Sequence, residues 1–264
     1  MGPTVALLAG GAGLAVGSFV NTFIDRWPRE EPVTAPPSRC EHCGRRLRPL
    51  ELIPVLSWIV LRGRCRTCHA PIGWQAPLVE AATGLLWAAV AVHARSPAEL
   101  LLGLGFTAVL VAVTGVDLKC QLIPNVALLA GLAWAGLVGL ALAGVLGAGE
   151  PGAGELGPWT GRLLAALAGG AVFQVLRWAS RGGLGFGDVK LAAWLGLYLG
   201  PRALPVTLFA AAIAGGVMAT ALLATGRRGR RDVIPFGPFL ALGGLVGWFA
   251  GEAVLDAYLR WGAG

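Results

Sequence analysis

Apolar runs of about twenty residues recur along the whole chain, and this recurrence limits what it can fold into more than any other feature. The runs fall near 4–24, 78–94, 98–116, 125–146, 162–179, 203–225 and 234–253, with a shorter one at 189–200. A helix needs about 20 apolar residues to cross a bilayer. Helices are also the open-ended structure that satisfies every backbone polar group in lipid. Only 13% of the 264 residues are charged and the mean hydropathy is +0.70, against about 25% charged in soluble domains. The 41 glycines suit close helix packing in lipid. The runs are continuous and lack the period-two alternation of a β-barrel. The expectation is an all-α polytopic membrane protein with about eight transmembrane helices. The first run lacks a basic leader and an A-x-A-like end, so it reads as a retained span rather than a signal peptide.

The net charge is +7, and its placement carries more information than its size. Nine arginines lie between Arg26 and Arg66, and four more form "RRGRR" at 227–231. Both clusters abut apolar spans, which reports orientation rather than nucleic-acid binding. With loop 25–77 in the cytoplasm, alternation puts 17 of the 21 basic residues inside. Both termini are then expected outside. The outer loop "GAGEPGAGELGP" reads as a Gly/Pro linker.

Loop 25–77 holds Cys40, Cys43, Cys65 and Cys68 as C-x2-C, 21 residues, C-x2-C. Two such knuckles offer four thiolates to a structural Zn²⁺. Gly44 follows the first knuckle, and Pro71 and Gly73 the second, as tight turns. Two disulfides are the alternative, disfavoured where thiols stay reduced. Four thiolates leave no open position for substrate, so the metal folds the loop and the chemistry lies elsewhere. "ELIPVLSW", between the knuckles, is interrupted by Pro54. It reads as packing within the loop or dipping toward the interface. Cys120 reads as a small apolar residue or a reactive thiol.

Acids at span edges are costly and therefore candidates for function. Asp188 stands in "GGLGFGDVKL" and Asp117 in "VTGVDLKCQLIPN". Both, with Glu80, fall at cytoplasmic span ends. Two adjacent carboxyls do not both ionise easily, so one keeps a proton while the other activates water. Gly185 and Gly187 would let a substrate strand approach. The plainer alternative is that Asp188 caps a helix. Lys190 would tune Asp188 or, preferably, snorkel to the headgroups. Asp25 and Asp232 each adjoin an arginine and read as solvated ion-pair partners. "IPFGPFLA" reads equally as a groove-shaping element or a plain turn. A zinc-containing scaffold whose acids are helix caps is a competing class. A transporter is a poorer fit, because no acid lies mid-span.

The set "GSFVNTFIDRWP", "SRCEHCG", "ELIPVLSW", "RGRCRTCHAPI", "PLVEAATGLLW", "DLKCQLIPN", "GLGFGDVKL" and "IPFGPFLALGGLVG" resembles, nearly end to end, the prepilin peptidases. These are bifunctional leader peptidases and N-methyltransferases of pilus and type II secretion systems. The resemblance implies that Asp117 and Asp188 are the catalytic aspartates. Pro124 of "IPN", Gly185, Gly187 and Lys190 are the surrounding motif positions. Where many relatives carry a second acid, this chain has Lys119. The resemblance further implies cleavage of prepilins or pseudopilins at the cytoplasmic face of the bacterial inner membrane. Methylation of the new N-terminus with S-adenosylmethionine would follow. The methyltransferase is tied to loop 25–77, with Glu51 and Gly63 as associated positions and the peptidase core in 78–264. A peptidase-only member is the runner-up. The implied partners are prepilins or pseudopilins and membrane lipid, with no nucleic acid.

Overall fold

The computed structural model describes residues 1–146, 159–180, 183–226 and 234–262. The "RRGRR" cluster, Asp232 and the outer linker "GAGEPGAGELGP" lie outside the described residues. The described chain is helical: α1 (Pro3–Arg26), the short α2 (Leu56–Val60), α3 (Gln75–His93), α4 (Pro97–Cys120), α5 (Asn125–Leu146), α6 (Trp159–Ala179), α7 (Phe186–Ala224) and α8 (Gly237–Gly262). Two isolated bridges, Arg39 with Arg46 and Arg64 with Pro71, are the β pairings among the described residues. The all-α expectation stands. Five of these helices, α1, α3, α4, α7 and α8, are long and apolar enough to cross a membrane. Among the described residues, length and composition do not confirm the expected count of eight crossings. The described apolar part of α5 is shorter, Asn125–Ala141, and α6 carries Arg162 and Arg177.

The chain forms two compact units, 1–115 and 116–264, divided within α4. In the first, α1 packs on α3 through small residues. A Cβ on Gly13 would meet the Gly84 Cα and the Thr83 carbonyl at 2.9 Å, and one on Gly17 would meet the Glu80 Cα at 2.7 Å. Lipid offers no hydrophobic drive between helices, so backbones must approach this closely for dispersion to hold them. Ser96 and Glu99 open α4, with Ser96 Oγ accepting from Glu99 N and Glu99 Oε2 from Arg95 N. This side chain starts a helix, as the sequence implies.

In the second unit α7 doubles back on itself. Its 39 residues would extend about 58 Å if straight, against a hydrocarbon core of about 30 Å. Gly200, at φ 79°, is followed by Pro201. The neighbours show the reversal. Before Gly200, Gly196 faces Ala165 and Gly169 faces Ala192, so this half runs antiparallel to α6. After it, Gly251 faces Ala203 and Gly243 faces Ala211, so the second half runs antiparallel to α8. Both the start of α7 and the start of α8 lie at one end of the unit. The two stretches expected as separate spans, 189–200 and 203–225, are the arms of this helical hairpin.

Arg162 closes its apex. Pro201 has no N–H to offer the Leu197 carbonyl four residues back. Arg162 Nη1 donates to that carbonyl at 3.0 Å and also to the Tyr198 carbonyl. The arginine is 7% exposed, so its charge is held among the carbonyls of a helix C-terminus.

Candidate functional site: two buried carboxylates and a four-cysteine loop

Asp117 lies one turn before the end of α4. Gln121, at φ 56°, donates its N–H to the Asp117 carbonyl at 2.9 Å and ends the helix. Ile123 and Pro124 are buried, and the Pro124 carbonyl accepts from Ala127 N at 3.1 Å to open α5. Asp188 stands in the first turn of α7, where its Oδ2 accepts the N–H of Gly185 at 3.0 Å. The helix-cap alternative is thus realised. Asp117 and Asp188 are 4% and 7% exposed, and the segments that carry them meet where Gly187 packs on Ile123.

The motif positions hold these two segments against each other. A Cβ on Gly187 would meet Ile123 Cβ at 3.0 Å. The open side of Gly187, expected to receive a substrate strand, is filled by Ile123. Lys190 donates from Nζ to Asn125 Oδ1 at 2.5 Å and lies 5.3 Å from the centre of the Phe186 ring. Asn125 begins α5, so this bond ties the start of α7 to the start of α5.

The sequence reading missed Gly237. Its N–H donates to Asp117 Oδ2 at 2.9 Å across 120 residues of chain. The signal was present in "IPFGPFLA", where a glycine between prolines marks the start of α8. Nothing in the pattern named its partner. Phe236 beside it packs on Phe173, with ring centres 5.9 Å apart. An apolar groove of about 510 Å³ adjoins, lined by residues that include Leu176, Leu184, Leu208 and Phe236.

Glu80, the third inner-side acid in sequence, serves the first unit. Its Oε2 accepts from Val55 N at 2.7 Å. Val55 has φ 60°, an unusual conformation for a β-branched residue, and this bond fixes the turn into α2. "ELIPVLSW" packs within the loop: Trp58 Nε1 donates to the Ile72 carbonyl at 3.3 Å, and its ring centre lies 4.2 Å from that of Trp74. Asp25 accepts from the side-chain amides of Asn21 and Gln75, while Arg26 donates to the carbonyls of Pro32, Val33 and Pro36.

The four cysteines converge. Their sulfurs all lie within 4.8 Å of one another, and those of Cys40 and Cys68 are 3.7 Å apart. Four sulfurs around zinc at about 2.3 Å stand roughly 3.8 Å apart, whereas a disulfide would need about 2.05 Å. The donor set fits zinc. Each knuckle favours the thiolate of its first cysteine. The N–H groups of Cys43 and His42 hold the Cys40 thiol below its ordinary range. Those of Cys68 and Thr67 bring Cys65 down to about 6. Left-handed residues follow both knuckles, Gly44 at φ 69° and His69 at φ 56°. The second turn is therefore made by His69, ahead of the expected Pro71 and Gly73.

Glu51 and Gly63 shape this loop. Arg45 pairs with Glu51 through two bonds of 3.0 and 2.8 Å, and Arg48 N donates to Glu51 at 2.8 Å. The Arg45 guanidinium and the Arg48 amide together hold the Glu51 carboxyl at about 2. Gly63, at φ 65°, lies against Trp58, and a Cβ there would meet the ring at 2.9 Å. Both residues are occupied in structure, and neither presents a free polar group to a methyl donor.

The sequence matches the family described as type IV leader peptidase over residues 104–220. It also matches the bacterial peptidase A24 N-terminal domain over residues 12–94. Proteins named prepilin leader peptidase/N-methyltransferase are similar along most of their length. The Aeromonas hydrophila protein is 36% identical, covering 93% of this chain and 91% of its own. The Bacillus subtilis protein is 32% identical, covering 96% and 97%. The Pseudomonas aeruginosa protein is 34% identical, covering 94% and 91%. No solved structure matches the chain.

Proposed function

The chain belongs to the type IV leader peptidase family, and from that premise we propose that Asp117 and Asp188 are the catalytic pair of its peptidase. The protein is a multi-pass membrane enzyme, a prepilin leader peptidase and N-methyltransferase. The observation that carries the catalytic assignment is the two buried carboxylates of one compact unit, each tied by one oxygen to a glycine amide. A water between them is the nucleophile. The ionised carboxylate takes its proton as the oxygen adds to the scissile carbonyl carbon, and the protonated carboxyl gives its proton to the carbonyl oxygen. Collapse breaks the C–N bond, and the leaving amine takes a proton back from the pair.

We assign the peptidase to 78–264 and the methyltransferase to loop 25–77, both following a first transmembrane segment at 1–24. Cys40, Cys43, Cys65 and Cys68 would hold a structural Zn²⁺ that folds the loop. The methyl donor is S-adenosylmethionine, whose sulfonium supplies an electrophilic methyl group to the new N-terminal amine. Glu51 and Gly63 act on that step through the shape of the loop. Pro124, Gly185, Gly187 and Lys190 support the pair by fixing the two helix ends that carry it. The substrates are type IV prepilins or type II secretion pseudopilins, cut at the cytoplasmic face of a bacterial inner membrane.

Asp117→Asn and Asp188→Asn, assayed separately in membranes on a prepilin, are each expected to lower kcat by at least about 100-fold with zinc content unchanged. Cleavage surviving both changes would end the aspartyl mechanism. The same proteins, given cleaved pilin and labelled methyl donor, should still methylate it.

A further inference from the structure

We infer that Gly237 is a positioning residue for the peptidase: its backbone N–H clamps Asp117 at the start of α8 as Gly185 clamps Asp188 at the start of α7. The inference rests on the catalytic reading of the two aspartates. It adds a third chain segment to their machinery.

Two independent features of position 237 point the same way. The first is the donor. Gly237 N lies 2.9 Å from Asp117 Oδ2. Gly237 begins a helix of 26 residues, and Pro238, which follows, has no N–H of its own. The first N–H groups of a helix lack intrahelical partners and carry its positive end, which suits a carboxylate. The second feature is space. A Cβ on Gly237 would stand 2.6 Å from Asp117 Oδ2 and 3.0 Å from its Cγ. Real Cβ atoms do not approach that closely, so any other residue must push the carboxylate away or shift the start of α8. Phe236, packed against Phe173 and over Gly215, fixes the backbone from which the amide points.

The arrangement on the other carboxylate is the counterpart. Asp188 Oδ2 accepts Gly185 N at 3.0 Å, and Gly185 is the residue just before α7. Each carboxylate thus spends one oxygen on a glycine amide at a helix start. The orientation of each carboxylate is thereby fixed, and its other oxygen is left to the chemistry. A carboxylate on a free rotor would lose that definition. A misplacement of about 1 Å lowers a rate by roughly 100-fold.

The test is Gly237→Ala in the full-length protein in membranes. The expected result is a fall in kcat for prepilin cleavage of about 100-fold with KM within about twofold, while methylation of cleaved pilin stays at the level of the unaltered protein. Gly136→Ala is the control, since a Cβ there meets nothing within 4 Å, and it should leave both activities alone. Unchanged cleavage in Gly237→Ala would overturn the inference. Equal loss of cleavage and methylation, together with loss of protein from the membrane, would also overturn it by making the glycine a folding residue. Replacing Gly237 by glycolic acid deletes the N–H without adding a Cβ. It should lower kcat on its own, and full activity there would remove the amide from the mechanism even if the alanine variant failed to accumulate. Asp117→Asn, run alongside, separates the two levels. Cleavage that survives it removes the aspartate pair. Cleavage lost in Asp117→Asn but intact in Gly237→Ala removes the clamp alone.

Discussion

At the scale of single residues, the charged groups in this apolar chain divide by what holds them. Arg162 was legible only as a basic residue at the edge of an outer loop. The structure gives it two backbone carbonyls at the apex of the α7 hairpin, those of Leu197 and Tyr198, the first without its helical donor because Pro201 has no N–H. Arg162→Met keeps the apolar stem and removes the donors. A buried carbonyl left without a partner costs about 1–3 kcal/mol. The variant should therefore unfold at lower denaturant by an amount in that range, measured in detergent micelles against the unaltered protein. Arg162→Lys restores charge, but on a shorter side chain whose ammonium must reach both carbonyls that Arg162 Nη1 serves. Partial recovery is expected. A variant as stable as the parent would show that the hairpin apex holds without this side chain.

At the scale of elements, the four-cysteine loop was the part most legible in sequence. C-x2-C pairs state their own chemistry, and the structure brings all four sulfurs together as the spacing implies. What spacing could not state was how the loop is tied down. Glu80, grouped in sequence with Asp117 and Asp188 by its place at a span end, instead accepts the N–H of the left-handed Val55. A contact between α3 and a turn 25 residues earlier has no local pattern to betray it. This gives a prediction in two parts. Cys65→Ser should release zinc, read by metal analysis of the purified protein, and lower methyl transfer by at least about tenfold while cleavage is largely kept. Glu80→Ala should leave zinc bound, because it touches no cysteine, yet lower methyl transfer by freeing the turn into α2. Loss of cleavage in step with methylation in both variants would argue that loop and peptidase act as one folding unit.

At the scale of the whole molecule, the apolar runs located every long helix, because lipid demands long uninterrupted apolar segments and punishes charge, though α8 extends to Gly262, nine residues beyond its run. The pattern could not say that 189–200 and 203–225 are arms of one hairpin, since Gly200 and Pro201 look the same in a kink as in a reversal. That reversal matters for orientation. The first arm of α7 runs away from the Asp117 end of its unit and the second returns, so α8 starts where Asp117 lies. In sequence, "RRGRR" falls between the second arm and α8, and we propose that the chain there lies on the cytoplasmic side. The arginine loop before α3 and this cluster together carry 13 of the 21 basic residues, and basic loops are retained in the cytoplasm. The test uses single cysteines at two positions of opposite expectation, with Cys120 replaced by alanine to lower the background and each signal read against the protein lacking the added cysteine. Glu150→Cys should react with an impermeant maleimide in intact cells. Gly229→Cys should react only after the membrane is opened. The reverse pattern would put the carboxylates and the basic loops on the outer face, where a leader held in the cytoplasm could not reach them, and would force a different substrate geometry on the same pair of aspartates.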